Sequence, residues 1–464
     1  MKYLILAGGV GARIWPLSRR LFPKLFLKLT SSMSPFQETI SRVKDEALSN
    51  VFVVTTEELK FIVYDQILKS GLKIPKENVI VEPVSKNTLA AISYGISGFD
   101  EDDIITVLSS DHFIQSNDIF LKYLKKAKEC ANKGYIITLG IKITSPITDY
   151  GYIKKGELID AGANLYKSES FKEKPTLEEA SRYYRDGSYL WNAGIFIFQK
   201  KTFVEELGKY HYETEKLLNF HRNKNMDFKI YDSIPNISID KGLLESSDKI
   251  AVLECDMVWS DLYSFQSIYN VSEKDNQGNV VKIDNNKYYN ENSKNLLICG
   301  DKRVIATIDL ENIAIIDTED ALLVGKMSGI SKVKNIVETL QFEKMPEVDA
   351  HLTVYKPWGS YTILQNGSNF KVKELYIRPK KKISLQYHNR RSETWTVVAG
   401  VGEVTKGDET IILNVAESVF IPVAVKHRLF NPSDTEDLRI IEVQTGDYLE
   451  EDDIIRIEDE FDRK

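Results

Sequence analysis

Over roughly the first 270 residues, short apolar runs alternate with longer stretches whose apolar positions recur at helical spacing. The runs YLILA (3–7), VFVVTT (51–56), NVIVEP (78–83) and DIITVLSSD (103–111) are too short for helices and read as buried strands. TLAAISYGISGF (88–99) and FLKYLKKAKECANKG (120–134) read as helices between them. Strand–helix alternation predicts crossover units and a mainly parallel, Rossmann-like sheet that binds ligands at the carboxyl ends of its strands. Gly8, Glu82 and Asp111 each follow such a strand end.

The pattern changes twice more. Residues 271–300 are polar and asparagine-rich, and short strand-like runs follow in RVIATIDL, IAIIDT and ALLVGK, with one helix, VKNIVETLQFEK (333–344). This predicts a small β-rich connecting domain that spaces or assembles its neighbours and carries no catalytic constellation. Beyond it, FKVKELYIRP, TWTVVAGVGEVTKGDETIIL, SVFIPV and RIIEVQTG alternate apolar and polar positions between glycine turns, without intervening helices. That pattern predicts an all-β barrel or sandwich. The expected domains are therefore 1–270, 271–345 and 346–464.

Composition narrows the partners. With 61 basic and 68 acidic side chains the net charge is −7, which gives no general attraction for a nucleic acid backbone. An anionic ligand must then be held by a local site. Cys130, Cys255 and Cys299 lie far apart with no CxxC spacing, which argues against a disulfide framework or a thiolate zinc site and fits a reducing cytoplasm. The first strand lacks the flanks of a signal peptide, and no apolar run approaches the roughly 20 residues of a membrane span. A soluble cytoplasmic protein without membrane contact is expected.

The loop after the first strand, GGVGARIWPLSRRLFPK (8–24), is the first candidate for chemistry. A dinucleotide fingerprint would need a third glycine where Ile14 stands. A P-loop would need its lysine beside the glycines, whereas Lys24 comes thirteen residues after Gly11. What remains is a loop whose glycines, Gly8, Gly9 and Gly11, let backbone N–H groups approach phosphates while Arg13 and Lys24 add charge. Such a loop suits attack of one phosphate on another.

The stretch resembles the signature of sugar-phosphate nucleotidylyltransferases, in particular mannose-1-phosphate guanylyltransferases. The resemblance continues through EPVSKNT (82–88), SSDHFI, TDYGYI, FKEKP, LWNAGIFIF, SIDKGLLE and WSDLYSF. It implies GTP and mannose 1-phosphate as substrates and Arg13, Lys24 and Asp111 as catalytic residues. It also implies a nucleotide site of Gly8, Gly9, Gly11, Arg13, Glu82, Asn87, Thr88 and Asp111. Tyr150, Gly151, Glu173, Lys174 and Asn192 would face the sugar phosphate, and Asp111 and Asp261 would hold Mg2+, for which hard oxygen ligands are suited. The chain departs from the family at Ala12 for threonine, Leu25 for glutamine, Lys86 for arginine and Tyr263 for glycine.

In the last region, LQYHNRRSETWTVVAGVG (385–402) and ESVFIPVAVKHRLFNP (417–432) carry the two-motif spacing of cupins. Residues two apart on a strand face the same way, so Gln386 and His388 can both enter a barrel. Glu393 and His427 would complete a mixed N/O set suited to Zn2+, with iron or manganese as alternatives. With KPWGSY and IEVQTGDYLEEDDIIRIED, these strings resemble the C-terminal half of bifunctional mannose-6-phosphate isomerase/mannose-1-phosphate guanylyltransferases. The resemblance implies interconversion of fructose 6-phosphate and mannose 6-phosphate by a proton shuttle, in a homodimer. Arg456 is the candidate contact for phosphate or enediolate. Asn389, Arg390 and Thr394 stand where the family has histidines. The alternative is a nucleotidylyltransferase of different base or sugar specificity whose cupin is a non-catalytic binding or assembly module.

Overall fold

The structure, a computed structural model, describes residues 1–9, 11, 13–45, 48–219, 228–283 and 287–459. Ala12 lies outside them. The chain divides into two compact units, Met1–Val348 and Asp349–Lys464.

The first unit is built on strands β1 (Lys2–Leu6), β2 (Val51–Thr56), β3 (Val79–Glu82), β4 (Ile104–Ser109), β5 (His112–Ile114), β6 (Ile136–Lys142), β7 (Gly151–Asp160), β8 (Leu165–Glu173), β9 (Tyr189–Gln199), β10 (Ile250–Cys255) and β11 (Trp259–Asp261). Nine of them form one sheet in the order β3-β2-β1-β4-β9-β6-β10-β8-β7. β1 is flanked by parallel partners, Leu4 opposite Phe52 and Val107, so its apolar residues are covered on both faces, as its unbroken hydrophobic run demands. Leu4, Val54, Ile80 and Val107 share one core with Leu89 and Ile92 of the helix Asn87–Gly95. The winding is parallel from β3 to β4, whereas β9 runs antiparallel between β4 and β6. The carboxyl ends of β1, β3 and β4 therefore open on one side, carrying Gly8, Glu82 and Asp111.

β5 and β11 pair as a separate antiparallel ribbon with Asp261 opposite His112. That register places residues 111 and 261, distant in sequence, side by side.

The asparagine-rich region coils into a short parallel β-helix. Val280 pairs with Leu297 and Leu297 with Ala314, so each coil advances 17 residues, and Tyr288 pairs with Ile305 on the second face. Asn292, Asn295, Asp309 and Asn312 turn the corners with φ of 55°, 55°, 52° and 57°. Asn and Asp visit this left-handed region at least cost among residues with a side chain, which accounts for the composition. The coil and the helix Val333–Phe342 bury Leu297, Ala314, Ile316, Val333 and Val337 in a core that also contains Ile14, Trp15, Leu29, Leu262 and Phe265. The β-helix and the glycine loop thus share one hydrophobic interior. Arg19 is buried beneath the loop, 2.7 Å from Asp320, and donates to the Glu347 carbonyl. Trp15 donates to the same carbonyl at 3.0 Å.

The second unit is all β, a six-stranded and a five-stranded sheet. Strands Phe370–Ile377, Leu438–Gly446 and Arg391–Ala399 lie side by side in the larger sheet, and Leu385–His388 lies between His427–Phe430 and Ile454–Glu458 in the smaller. Their apolar residues, with fully buried Trp395, Val397, Val404, Leu429 and Ile440, form the interior.

Removing one member of a buried ion pair leaves an uncompensated charge, at a cost of about 3 to 5 kcal/mol. Asp320→Ala is therefore expected to lower the unfolding free energy of the first unit by about 3 kcal/mol, since Arg19 keeps its carbonyl partner. Chemical denaturation followed by tryptophan fluorescence measures it, and a loss below about 1 kcal/mol, the size of a surface pair, would contradict it.

Candidate functional site

At the mouth of the first sheet, the Lys24 ammonium lies 2.8 Å from Asp111 and 3.0 Å from Asp261. Burial works against the lysine charge, but the two carboxylates outweigh it and hold its pKa above the ordinary value. Asp111 is likewise opposed by burial yet held well below the carboxylate range, chiefly by Lys24. A Cβ on Gly11 would sit 3.2 Å from the Lys24 stem, so the missing side chain leaves the lysine its path. Arg13 pairs with Asp149 at 2.6 Å, both partly exposed.

Beside this cluster opens a cavity of about 450 Å³. Gly11, Arg13, Lys24 and Asp261 line one part of it, and Tyr150, Gly151, Glu173, Lys174 and Asn192 another. A Cβ on Gly151 would lie 2.8 Å from a Glu173 carboxylate oxygen, so glycine keeps that wall open. Asn192 accepts from Thr138 at 2.7 Å and donates to Asp240 at 2.9 Å, which fixes its amide. Asp240 opens a π-helical turn, Asp240–Leu244. Burial first, then the charge of Glu173, raises its carboxyl to about 7.

Gly8 and Gly9 follow β1, Glu82 ends β3, and Asn87 and Thr88 open the helix Asn87–Gly95; none of the five lines this cavity. A Cβ on Gly8 would lie 3.4 Å from the Glu82 carboxylate. Glu82 accepts from the Tyr231 hydroxyl, and burial raises its carboxyl to about 7. Asn87 has φ 67° and accepts from the Thr88 N–H, while Thr88 accepts from the Ile239 N–H at 2.9 Å.

In the second unit, His388, Glu393 and His427 converge with their ligand atoms within 4.8 Å of one another, all three buried. Each histidine turns Nδ1 to a carbonyl, His388 to Asp453 at 3.4 Å and His427 to Val425 at 2.9 Å. With the ring protons assigned there, both Nε2 lone pairs face the Glu393 carboxylate, 3.0 and 3.6 Å away. Three buried acceptors around one point are what a divalent cation satisfies. Burial lowers the His427 pKa despite Glu393, favouring the neutral, ligating form. Gln386 pairs in register with His427 and Arg456, and all but the histidine line an adjoining cavity of about 50 Å³. That is room for a few waters.

Three family models cover the chain in succession: Nucleotidyl transferase over residues 2–278, MannoseP isomerase/GMP-like beta-helix domain over 278–340, and Mannose-6-phosphate isomerase C-terminal over 343–459. The mannose-1-phosphate guanylyltransferase of Escherichia coli is 35% identical over 472 residues, 99% of both chains. The chain belongs to the mannose-1-phosphate guanylyltransferase/mannose-6-phosphate isomerase family. Xanthan biosynthesis protein XanB of Xanthomonas campestris is 38% identical, covering 99% of this chain and 98% of its own. Alginate biosynthesis protein AlgA of Pseudomonas putida is 36% identical, with 99% and 96% covered. A solved Thermus thermophilus structure, described as a mannose-1-phosphate geranyltransferase, superposes with a TM-score of 0.66 at 26% identity, over 73% of this chain and 99% of that one.

Within this family's fold, the chain's departures fall at distinct places. Tyr263 lines the large cavity, its ring 5.7 Å from that of Tyr150 and 5.8 Å from the Arg13 guanidinium. Leu25 is buried. Lys86 bonds Asp232, away from the cavity. Asn389 and Arg390 are exposed, and Thr394 is on the strand face opposite Glu393, so none of the three replaced histidines belongs to the ligand cluster. The Asn389 and Arg390 N–H groups donate to the Asp453 carboxylate at 3.1 and 3.2 Å, on the same residue whose carbonyl faces His388.

The sequence reading missed several residues. His112 and Asp149 stand next to Asp111 and Tyr150 in motifs already singled out, and adjacency was the available signal. Asp240 lay in a quoted motif without a role. In the barrel, buried Arg391, Lys373, Glu442 and Gln444 line the small cavity. Arg391 bonds Glu393 at 3.2 Å, Lys373 bonds Glu451 at 2.8 Å, and burial followed by the charge of Glu393 raises Glu442 to about 8.

An acid whose folded pKa is raised loses stability as pH climbs from its unfolded value, near 4, through its folded value, near 7. Asp240→Asn is accordingly expected to raise the melting temperature relative to the unmodified chain at pH 8, and by less at pH 5, where both side chains are neutral. Equal effects at the two pH values would contradict the assignment.

Proposed function

We propose that the first unit makes GDP-mannose and pyrophosphate from GTP and mannose 1-phosphate. The observation that carries this is the convergence of Gly11, Arg13, Lys24 and Asp261 on one cavity with Glu173, Lys174 and Asn192, in a chain 35% identical throughout to a mannose-1-phosphate guanylyltransferase. An oxygen of the sugar phosphate attacks the α-phosphorus of GTP. The bond from that phosphorus to the β-bridging oxygen breaks, and pyrophosphate leaves. Arg13 and the loop N–H groups hold the phosphates, and Lys24 compensates charge as the two anions approach. Gly8, Gly9, Glu82, Asn87 and Thr88 take the nucleotide, whose identity as GTP rests on the relatives. Glu173, Lys174, Tyr150, Gly151 and Asn192 take the sugar phosphate. Asp111 and Asp261 are the hard-oxygen pair that would hold Mg2+, which neutralises phosphate charge when bound.

For the second unit we propose isomerisation of fructose 6-phosphate to mannose 6-phosphate. His388, Glu393 and His427, with Gln386, would hold Zn2+ or another divalent metal, which polarises substrate oxygen when bound. Arg456 contacts the phosphate or enediolate. The small volume of the barrel cavity, about 50 Å³, favours a second reading, a metal-binding module without turnover. We further propose a cytoplasmic homodimer; the three cysteines are buried thiols, and among the described residues no helix is long and apolar enough to cross a membrane.

Pyrophosphate release across four nucleoside triphosphates and a panel of hexose 1-phosphates tests the first reading, which fails if another pair is faster. Lys24→Ala is expected to cost about 2.7 to 4 kcal/mol of transition-state stabilisation, roughly a hundredfold or more in kcat. Near-normal turnover would exclude this role.

His427→Ala is expected to remove one equivalent of divalent metal from the chain by elemental analysis while transferase activity persists. Fructose 6-phosphate turnover by the metal-loaded chain separates the isomerase from the binding module.

A further inference from the structure

The large cavity has one cation from outside the nucleotidyl transferase module. Lys334, the second residue of the helix Val333–Phe342, lines it together with Arg13, Lys24, Asp149 and Tyr263. We propose that Lys334 binds a phosphoryl group in the transferase reaction, that of the sugar phosphate or of the leaving pyrophosphate, so that the β-helix module completes the active site. This rests on the function proposed for the first unit.

Three observations support it. The other cations of the cavity are already engaged: Lys24 with Asp111 and Asp261, Arg13 with Asp149 at 2.6 Å, and Lys174 with Glu173 at 3.2 Å. Among the described residues Lys334 pairs with Glu338 of its own helix, at 3.4 Å, with both side chains mostly exposed. An i,i+4 surface pair of that kind is worth a few tenths of a kcal/mol, so an anion can draw Lys334 away at little cost.

Second, its position is fixed. Val333, the preceding residue, is buried in the same core as Ile14 and Leu262, and Leu262 lies between Asp261 and Tyr263. The core that seats the catalytic loop and the second aspartate therefore also seats the backbone that presents Lys334.

Third, the cavity is lined by Gly11, Arg13 and Lys24 and by the residues assigned to the sugar phosphate, but not by Glu82, Asn87 and Thr88 of the nucleotide site, so what Lys334 faces there is phosphoryl or sugar. A primary ammonium selects the phosphoryl.

The test compares Lys334→Ala, Lys334→Glu and Lys334→Arg in the full-length chain, with Glu338→Gln as a control on the same helix. Rates are measured forward with GTP and mannose 1-phosphate and in reverse with GDP-mannose and pyrophosphate. Losing one charge-assisted contact should raise the KM for mannose 1-phosphate or for pyrophosphate roughly tenfold. The effect should be larger for Lys334→Glu, recover toward normal in Lys334→Arg and be absent in Glu338→Gln. Which KM moves tells which phosphoryl is held. The proposal is overturned if folded Lys334→Ala and Lys334→Glu keep both KM values within about twofold.

If the unmodified chain turns over neither substrate pair, the proposed function has failed on its own, and pyrophosphate alone becomes the probe. Weaker protection of Lys334→Glu than of the unmodified chain against thermal unfolding would sustain the contact. Equal protection, or none for either chain, would overturn it.

Discussion

Two ionised carboxylates brought together in a half-buried site repel unless a positive charge lies between them, and much of the first unit serves that condition. Lys24 meets Asp111 and Asp261 within 3.0 Å, and the three residues come from three distant parts of the chain. Asp111 is delivered by the end of β4. Asp261 is delivered by the β5–β11 ribbon, whose register pairs it with His112. Lys24 must come from the long loop after β1, which passes over Gly11, where the lysine stem would meet any Cβ. The pair would repel without the lysine, and the lysine would be a costly buried charge without the pair. Each segment therefore stabilises the placement of the other two.

The barrel meets the same electrostatic problem in a drier setting. Glu393 lies deep in the barrel, where burial opposes its charge, and the Arg391 guanidinium, 3.2 Å away, helps to hold it ionised. Glu442, next in line, is raised to about 8 by burial and by Glu393, so the pair carries one charge near neutrality. The difference between the sites lies in access. The transferase cavity is ninefold larger by volume, about 450 against 50 Å³, and its cations are partly exposed, which suits two polyanions that must enter and one that must leave. The barrel holds Glu393, Arg391 and Glu442 buried and hydrogen-bonded, with Trp395 and Gln444 donating to both carboxylates.

How much of this could be read from the sequence follows from the range of each signal. Strand ends, the glycine loop and the Gln386/His388 same-face spacing are local; of the residues they pointed to, Gly11, Arg13 and Lys24 line one cavity and His388 joins Glu393 and His427 in the barrel, while Gly8, Gly9 and Glu82 lie outside the cavity lining. Long-range relations were out of reach. That β9 returns antiparallel depends on pairing across the sheet, which no run of apolar residues encodes. The β-helix was hidden because its 17-residue repeat is carried by Asn292 and Asp309, and Asn295 and Asn312, at turning corners, while the residues between vary. Read as composition and short strands, they suggested only a small β-rich connecting domain. Asp240 and Lys334 belong to the cavity through tertiary packing; Asp240 lay in the SIDKGLLE motif without a role, and the neighbours of Lys334 in sequence gave no hint. Conversely, Thr394 is next to Glu393 in the string, and strand alternation puts it on the opposite face.

The β-helix gives the glycine loop something a loop ordinarily lacks, a hydrophobic floor. Ile14, Trp15 and Leu29 share a core with Leu297, Ala314 and Val337, while Arg19 and Trp15 are tied below to Asp320 and the Glu347 carbonyl. A loop with free glycines could bring its N–H groups to a phosphate only by surrendering conformational entropy at each binding event. Anchored through its second half, it leaves Gly8, Gly9 and Gly11 to follow the ligand while Arg13 and Lys24 stay aimed at the cavity. Charge that is already oriented need not reorganise as the phosphates react, and that is where electrostatic catalysis gains most. The middle segment thus does more than space its neighbours: it shares a core with the second half of the loop and fixes where that half lies.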